Sequence, residues 1–474
     1  MLLPKYNKIP ENAGRIHLIA VCGTAMGALA CMLKSLGYRV TGSDSNVYPP
    51  MSAFLEDKGI TVKAGFSPEN LSYRPDLVVV GNAVSKGNAE VVALSKMKLC
   101  YCSMPQAVNH FAAAEKRQVL VAGTHGKTTT SSIVAWLLFS AGRDPSFIIG
   151  GILSNFNSNY RIGAGDCIVI EADEYDTAFF DKGPKFLHYH PDAAILTSIE
   201  FDHADIYTNL DHVRSAFARF ITAIEDEALL VYADDDANVE DLIQQANCRR
   251  SSYGIRPETS WRIDDIVIDP PGTGFVVFKK EKAYGRFQTR MIGMHNLKNA
   301  LSAIAVADHL GLTPEEIAKG LETFAGVKRR QEIRGEKNGV IVMDDFAHHP
   351  TAVKETLQAV KAYFLQNRIV AVFEPRTHSS MRKVFQEVYT TVFDSADRIC
   401  IRKPPLLRKV PEAERMSSEQ LVAGLRDRGK NADHFDDTQS IIEDLVQTSR
   451  AGDVILVMSN GGFDNIHERL LASL

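Results

Sequence analysis

Tryptophan occurs only twice in the 474 residues, and cysteine seven times. Cys100 and Cys102 sit close together, but no second pair completes a zinc pattern. An odd cysteine count without framework spacing indicates a reducing compartment. The formal net charge of −5 leaves no basic surface for nucleic acid. No apolar run approaches the ~20 residues of a membrane span, and the segment before Arg15 lacks the apolar core of a signal peptide. Repeats and low-complexity tracts are also missing. The expectation is a cytoplasmic protein with neither a nucleic-acid nor a membrane partner. What is present is a globular composition, 45% hydrophobic and 23% charged. The length suits about three domains.

The most informative stretch is Val119–Thr130. Val119–Ala122 reads as a buried strand. Gly123, Thr124, His125, Gly126, Lys127 and Thr128 follow directly. Thr129–Ala141 then carries apolar residues at helical spacing, stopped by Gly142. Strand, Gly-rich turn and helix N-terminus form a phosphate cradle, with backbone N–H groups and the helix dipole facing the anion. Lys127 can reach terminal phosphates, and the Thr128 hydroxyl can ligate Mg²⁺. The spacing G-x-x-G-K-T is shorter than the common phosphate-loop pattern. A chance Gly-Lys turn is the competing reading, and the flanking strand and helix argue against it.

Taken in order, Arg15–Cys22 reads as a strand, followed by the turn Gly23, Thr24, Ala25, Met26, Gly27 and a helix over Ala25–Leu36. The strand Tyr38–Thr41 ends near Asp44, where a dinucleotide fold places its ribose ligand. The glycine pattern is partial, so a Rossmann-like nucleotide fold is expected rather than NAD binding. Close helix–strand packing is the alternative role for Gly23 and Gly27. Leu77–Gly81 is a later strand, followed by a loop through Ser85. A charged segment, Ala112–Gln118, marks a domain boundary. Beyond the cradle, the strand Cys167–Ile170 runs into Glu171, Asp173 and Glu174, and Ala193–Ile199 runs into Glu200, Asp202 and His203. Carboxylates at the C-terminal ends of parallel strands sit at the binding edge. They suit a hard cation neutralising phosphate, although each acid alone could be a solvated loop residue. Gly293-Met-His295-Asn296 and Asn299 open a helix as base contacts or caps. The strands Val340–Met343, Ile369–Phe373 and Val454–Met458, alternating with helices, predict a third parallel sheet. His348-His349 is expected in loop or capping roles, not as a metal pair. The runs Arg402–Arg415 and Glu419–Asp437 read as solvated faces.

In this order, Gly123–Thr130, Glu171-Ala-Asp-Glu174, Glu200-Phe-Asp-His203, Gly293-Met-His-Asn296 with Asn299, Arg329-Arg330 and Asp344-Asp345-Phe-Ala-His-His-Pro350 resemble the Mur ligases, ATP-dependent amide ligases acting on peptidoglycan precursors. The resemblance covers essentially the whole chain. It implies an α/β protein of three domains: a Rossmann-like UDP-sugar domain (1–116), a central P-loop ATPase-like domain with a mostly parallel sheet (117–326) and a Rossmann-like C-terminal domain (327–474). Within the family it lies with the branch acting directly on UDP-N-acetylmuramate. Asn46-Val-Tyr-Pro-Pro-Met51, Tyr175 and the long connection from Phe180 to His190 look like the branch that attaches the recycled murein tripeptide L-alanyl-γ-D-glutamyl-meso-diaminopimelate. The L-alanine-adding branch has a shorter connection and usually serine at the position of Tyr175. It is the alternative.

The resemblance also assigns roles. Gly123, Thr124, His125, Gly126, Lys127, Thr128, Thr129, Asn299, Arg330 and Asp345 would bind ATP. Thr128 and Glu171 would hold one Mg²⁺, and His203 a second. Lys127, Glu171 and His203 would be catalytic. Gly23, Thr24, Ala25, Met26, Gly27, Asp44 and Ser85 would meet the UDP-sugar. Placement rather than resemblance points to Arg376, His378 and Arg382, just beyond the strand Ile369–Phe373, as cations for the carboxylates of the amine substrate, with a solvated helix face the alternative for Arg382. Three departures stand out. Ser198 replaces a frequent asparagine. Ala218 and Arg219 occupy the stretch where some members carry a carbamylated lysine, so no modified lysine is expected. The Asp-Asn-Pro-Arg motif of diaminopimelate-adding relatives is missing. Two other classes compete. A nucleotide-sensing regulator would not need Glu171 and His203 beside Lys127, and a dehydrogenase does not explain Gly123–Thr128.

Overall fold

The structure, a computed structural model, describes residues 2–47, 51–405, 407 and 410–474. Residues 48–50 of the Asn46–Met51 stretch, and 406, 408 and 409 of the charged run, lie outside the described residues. Three sheets follow one another along the chain. The first has five parallel strands in the order Thr61–Ala64, Arg39–Asp44, Arg15–Ile19, Leu77–Val80, Tyr101–Ser103. Its first strand stops at Ile19, three residues earlier than the apolar run suggested, because Ala20 takes a positive φ and turns the chain.

The second sheet has ten strands, and its centre positions the chemistry. Arg117–Ala122 lies between Ala193–Leu196 and Cys167–Glu171, parallel to both. All three are buried through their apolar lengths. Such two-sided burial explains their unbroken apolar sequences. The helix Lys127–Ser140 leaves the end of the central strand and buries Ile133, Val134, Leu137 and Leu138. Each such side chain contributes about 1.5–3 kcal/mol by leaving water. The helix N-terminus is thereby held over the sheet edge.

The third sheet has six strands, antiparallel only between Glu332–Lys337 and Val340–Asp345. Val340–Asp345 extends two residues past the predicted end, so Asp344 and Asp345 are strand residues, both buried. Arg402 corrects the reading of its run as a solvated face. Its side chain is buried against Glu374 and Asp464.

The domains touch through specific side chains. The Asn159 amide donates to the Thr24 carbonyl at 3.3 Å. The long connection after Glu171 forms a hairpin, Asp176–Ala178 with Asp181–Pro184. At its tip Phe180 packs edge-on against Tyr101 of the first sheet, with ring centroids 4.9 Å apart. No helix among the described residues is long and apolar enough to cross a membrane.

Candidate active site

The cradle is built as its sequence suggests, with one change in which amides are free. Gly126 caps the helix at φ +79, and a Cβ there would meet Asn299 Oδ1 at 2.5 Å. Backbone conformation and neighbour both require glycine. The Thr124 N–H donates to the Ser198 carbonyl (2.9 Å), and the His125 N–H to Ser198 Oγ (3.0 Å). Ser198 therefore braces the loop. The first helical amides, of Lys127, Thr128 and Thr129, are those an α-helix leaves without intrahelical acceptors.

Lys127 is held by carboxylate. Its Nζ donates to both oxygens of Glu174, at 3.1 and 2.8 Å, and to the Gly123 carbonyl. Burial works against its charge, yet Glu174, Asp173 and Glu171 hold its pKa above the ordinary lysine value. Glu174 is itself buried and also meets His203 Nε2 at 3.1 Å. Burial alone would lower the His203 pKa. The hydrogen bond and charge of Glu174, with Asp202 and Asp173, raise it to about 9. Asp173 pairs with Lys185 at 2.8 Å. The Tyr175 ring lies 4.2 Å from that of His203, a wall that serine could not provide.

Thr128 and Glu171 come together as expected. Thr128 Oγ1 donates to Glu171 Oε1 at 3.0 Å, and the Gly150 N–H donates to Oε2 at 2.6 Å. Burial raises the Glu171 pKa against the pull of Gly150 and Lys127. A hydroxyl beside a half-buried carboxylate is an oxygen donor pair suited to Mg²⁺. Asp173, Glu174 and His203 converge separately, their ligand atoms within 4.8 Å of one another. The two donor groups are distinct, and in the second the Lys127 ammonium and His203 both sit on Glu174.

A cavity of about 420 Å³ opens between the second and third domains. Gly126, Thr128, Thr129 and Asn299 line it from one side, Arg330, Gln331 and Asp345 from the other. Asn296 and Asn299 are not capping residues. The helix begins at Met294, so both are interior, buried and one turn apart. Asp345 accepts the amides of Gln331 (2.8 Å) and Ala347 (2.7 Å), holding the Arg329–Gln331 turn against the strand end. Burial lowers the Arg330 pKa, opposed by Asp345, and its guanidinium lies over Phe346. Burial also takes the His295 pKa down to about 4.

A larger cleft of about 1040 Å³ is bordered by all three domains. Thr24, Thr124, Lys127, Glu171, His203, Tyr175, Arg330 and His378 line it. Of the residues read as UDP-sugar contacts, Thr24 is the one on its wall. Gly23 is the exposed cap of the helix Thr24–Ser35. Ala25 is half-buried and Met26 buried, while Gly27 lies under Met51. The buried Asp44 accepts the Cys22 and Asn46 amides, and Ser85 is on an exposed loop. Of the three residues read as amine-substrate contacts, His378 faces the cleft. Arg376 turns toward Glu374 at 3.6 Å and packs on Gly461, and Arg382 pairs with Glu414.

Sequence reasoning raised Glu174 only as an alternative metal ligand. It gave Gln331 no role, and it gave His349 the capping role the structure shows but not its contact with Glu200. Their roles depend on neighbours far away in the chain.

Residues 15–116 match the family description "Mur ligase family, catalytic domain", 121–307 "Mur ligase middle domain", and 329–461 "Mur ligase, glutamate ligase domain". The chain is 38% identical to the UDP-N-acetylmuramate–L-alanyl-gamma-D-glutamyl-meso-2,6-diaminoheptandioate ligase of Escherichia coli K12, over 97% of this chain and 98% of that one. A solved murein peptide ligase from Psychrobacter arcticus 273-4 superposes with a TM-score of 0.72 at 34% identity, covering 97% and 98% of the two chains. The UDP-N-acetylmuramate-alanine ligase of Thermotoga maritima superposes at 0.80 with 25% identity and the same coverage. Likeness at this level runs through nearly the full length of both partners, and the paired motifs meet at one interdomain cleft. This chain belongs to the Mur ligase family.

Proposed function

We propose that the chain is an ATP-dependent ligase of peptidoglycan recycling. It joins the lactyl carboxylate of UDP-N-acetylmuramate to the free amine of L-alanyl-γ-D-glutamyl-meso-diaminopimelate. The observation that carries this reading is the 38% identity, end to end, to the E. coli tripeptide ligase. Tyr175 and the Phe180 hairpin, built into the cleft and the domain contact, accord with it. The higher TM-score of the alanine ligase favours a second reading, addition of L-alanine. A TM-score over three domains weighs the angles between them, which vary with closure. Sequence identity is the better guide to the substrate.

In the proposed reaction the carboxylate attacks the γ-phosphorus of ATP and ADP leaves. The peptide amine then displaces phosphate from the acyl group and loses a proton. Such transfer depends on positioning and charge neutralisation. The amides of Lys127, Thr128 and Thr129 receive phosphate oxygens, and Lys127 exchanges Glu174 for phosphate. Asn299 faces the base, Asp345 the ribose, and Arg330 serves both cavities. Thr128 and Glu171 would hold one Mg²⁺ and His203 would take part in a second site, and the bound ions would supply Lewis-acid charge neutralisation. The turn Gly23–Gly27 offers backbone amides to the UDP diphosphate from the first domain. His378 meets the peptide, with Arg376 behind it.

The test is phosphate release from ATP with UDP-N-acetylmuramate, adding tripeptide or free L-alanine in turn. Tripeptide should be the far better substrate. If alanine supports faster turnover, the alanine-adding reading replaces this one.

A further inference from the structure

His125, Glu200 and His349 meet on the cradle's far side from Glu174. His125 Nε2 lies 3.2 Å from Glu200 Oε2, and His349 Nδ1 lies 3.4 Å from the same oxygen. All three ligand atoms fall within 4.8 Å of one another. His125 is on the phosphate loop and Glu200 follows a strand of the second sheet. His349 caps the helix Pro350–Tyr363 of the third domain.

The hydrogen bonds around His349 carry the argument. Its Nε2 faces the Phe201 carbonyl at 3.2 Å. A carbonyl only accepts, so Nε2 holds the proton. The one lone pair of Nδ1 takes the Thr351 N–H at a long 3.3 Å. Nδ1 also lies 3.4 Å from the Glu200 oxygen, an approach of two acceptors, and a cation bound at Nδ1 would take the place of the Thr351 N–H. The same oxygen accepts from Thr351 Oγ1 at 2.7 Å. A cation drawing on both acceptors would resolve the contact. Ligands about 2.0–2.1 Å from a tetrahedral ion lie about 3.3–3.4 Å apart, close to the separations found.

We propose that His125, Glu200 and His349 form a binding site for a borderline divalent transition-metal ion of the zinc class. Two imidazoles and a carboxylate suit such an ion, whereas Mg²⁺ prefers an all-oxygen shell. The site shares no residue with Thr128–Glu171 or with Asp173–Glu174–His203. On binding, His125 gives up its Nε2 proton to solvent and the ion ties the phosphate loop to the third domain. The consequence is inhibition by Zn²⁺ in the presence of Mg²⁺, because the loop is fixed as ATP must enter. The inference does not depend on which amine is ligated.

The test uses metal-stripped full-length protein without nucleotide, titrated with Co²⁺ and read by its visible d–d absorption. One equivalent with tetrahedral intensity, displaced by Zn²⁺, is expected. His349→Ala and, separately, Glu200→Gln should weaken Co²⁺ binding by more than about 100-fold, since even outer-shell partners are worth about 10–100-fold. Asp173→Asn should leave the signal in place. His125→Ala provides a third variant, on the phosphate loop, in case the other two fail to fold. A wild-type protein without the tetrahedral band overturns the proposal. So does a band that survives in folded His349→Ala or His125→Ala protein.

Discussion

Two of the three sheets start their binding edge in the same way, with an apolar strand, a glycine turn and a buried helix. Around Gly23–Gly27 the neighbouring strand ends are Asp44, which accepts the Cys22 and Asn46 amides, and Val80. Around Gly123–Thr128 the neighbouring strands deliver Glu171, Asp173 and Glu174 on one side, and Glu200, Asp202 and His203 on the other. The first turn offers amides alone, enough to hold a diphosphate. The second adds a lysine, carboxylates and a histidine, enough to move a phosphoryl group. The neighbours decide the chemistry, and the turn itself only provides the anion seat.

The largest test of this contrast removes the charge that the first turn lacks. Lys127→Ala should lower kcat by at least about 100-fold, the scale of losing one preorganised stabiliser. UDP-N-acetylmuramate binding, measured by calorimetry, should persist on the other turn. Ligation at near wild-type rate would remove Lys127 from the mechanism.

Next comes the carboxylate. Glu171→Gln keeps the shape and loses the charge that holds Mg²⁺. Activity should fall and recover partly at raised Mg²⁺. An unchanged magnesium titration would transfer the ligand role to Asp173 or Glu174.

The glycines sharpen the contrast further. Gly126→Ala places a Cβ at φ +79 against Asn299, which should weaken ATP binding measurably. Gly23 has φ −69 and its nearest neighbour atom would be 3.9 Å from a Cβ, so Gly23→Ala should shift the unfolding free energy by about 0.5 kcal/mol or less. Equal effects at both positions would show that the two turns are under the same constraint.

The last test is pH-dependent. His295 is half-buried in the cavity wall, and desolvation with the nearby Lys298 and Arg330 depresses its folded pKa to about 4. Its contribution is complete above the unfolded value near 6.5 and fades as pH falls from there through about 4. Denaturant titrations should show a loss of about 1–3 kcal/mol across that window, and His295→Gln should flatten it. A slope unaltered in the variant would assign acid sensitivity to other groups.

Much of this was legible in the chain. The valine-rich strand Arg117–Ala122 and the helix after it are local, and both ends of the reading agree to within two residues. The acids after Cys167–Glu171 and Ala193–Leu196 were recognisable as strand-end residues, because period and composition report on burial. Strand ends were less legible. Ala20 breaks its strand through a single positive φ, and Asp344 and Asp345 continue theirs because pairing with Val457 and Met458 satisfies their backbone.

The sequence by itself determined three largely parallel sheets, the anion seat and the kinds of ligand brought to it. These follow from periodicity, glycine placement and side-chain chemistry within short windows. Only the tertiary structure decided which groups pair. Glu174 takes Lys127 and His203 together, Ser198 consumes two loop amides, and Arg376 turns to Glu374 while His378 faces the cleft. His125, Glu200 and His349 are far apart along the chain and on two domains, and no local pattern encodes their meeting. Such contacts depend on strand order and domain packing, and a pairwise distance exists only once both partners are placed.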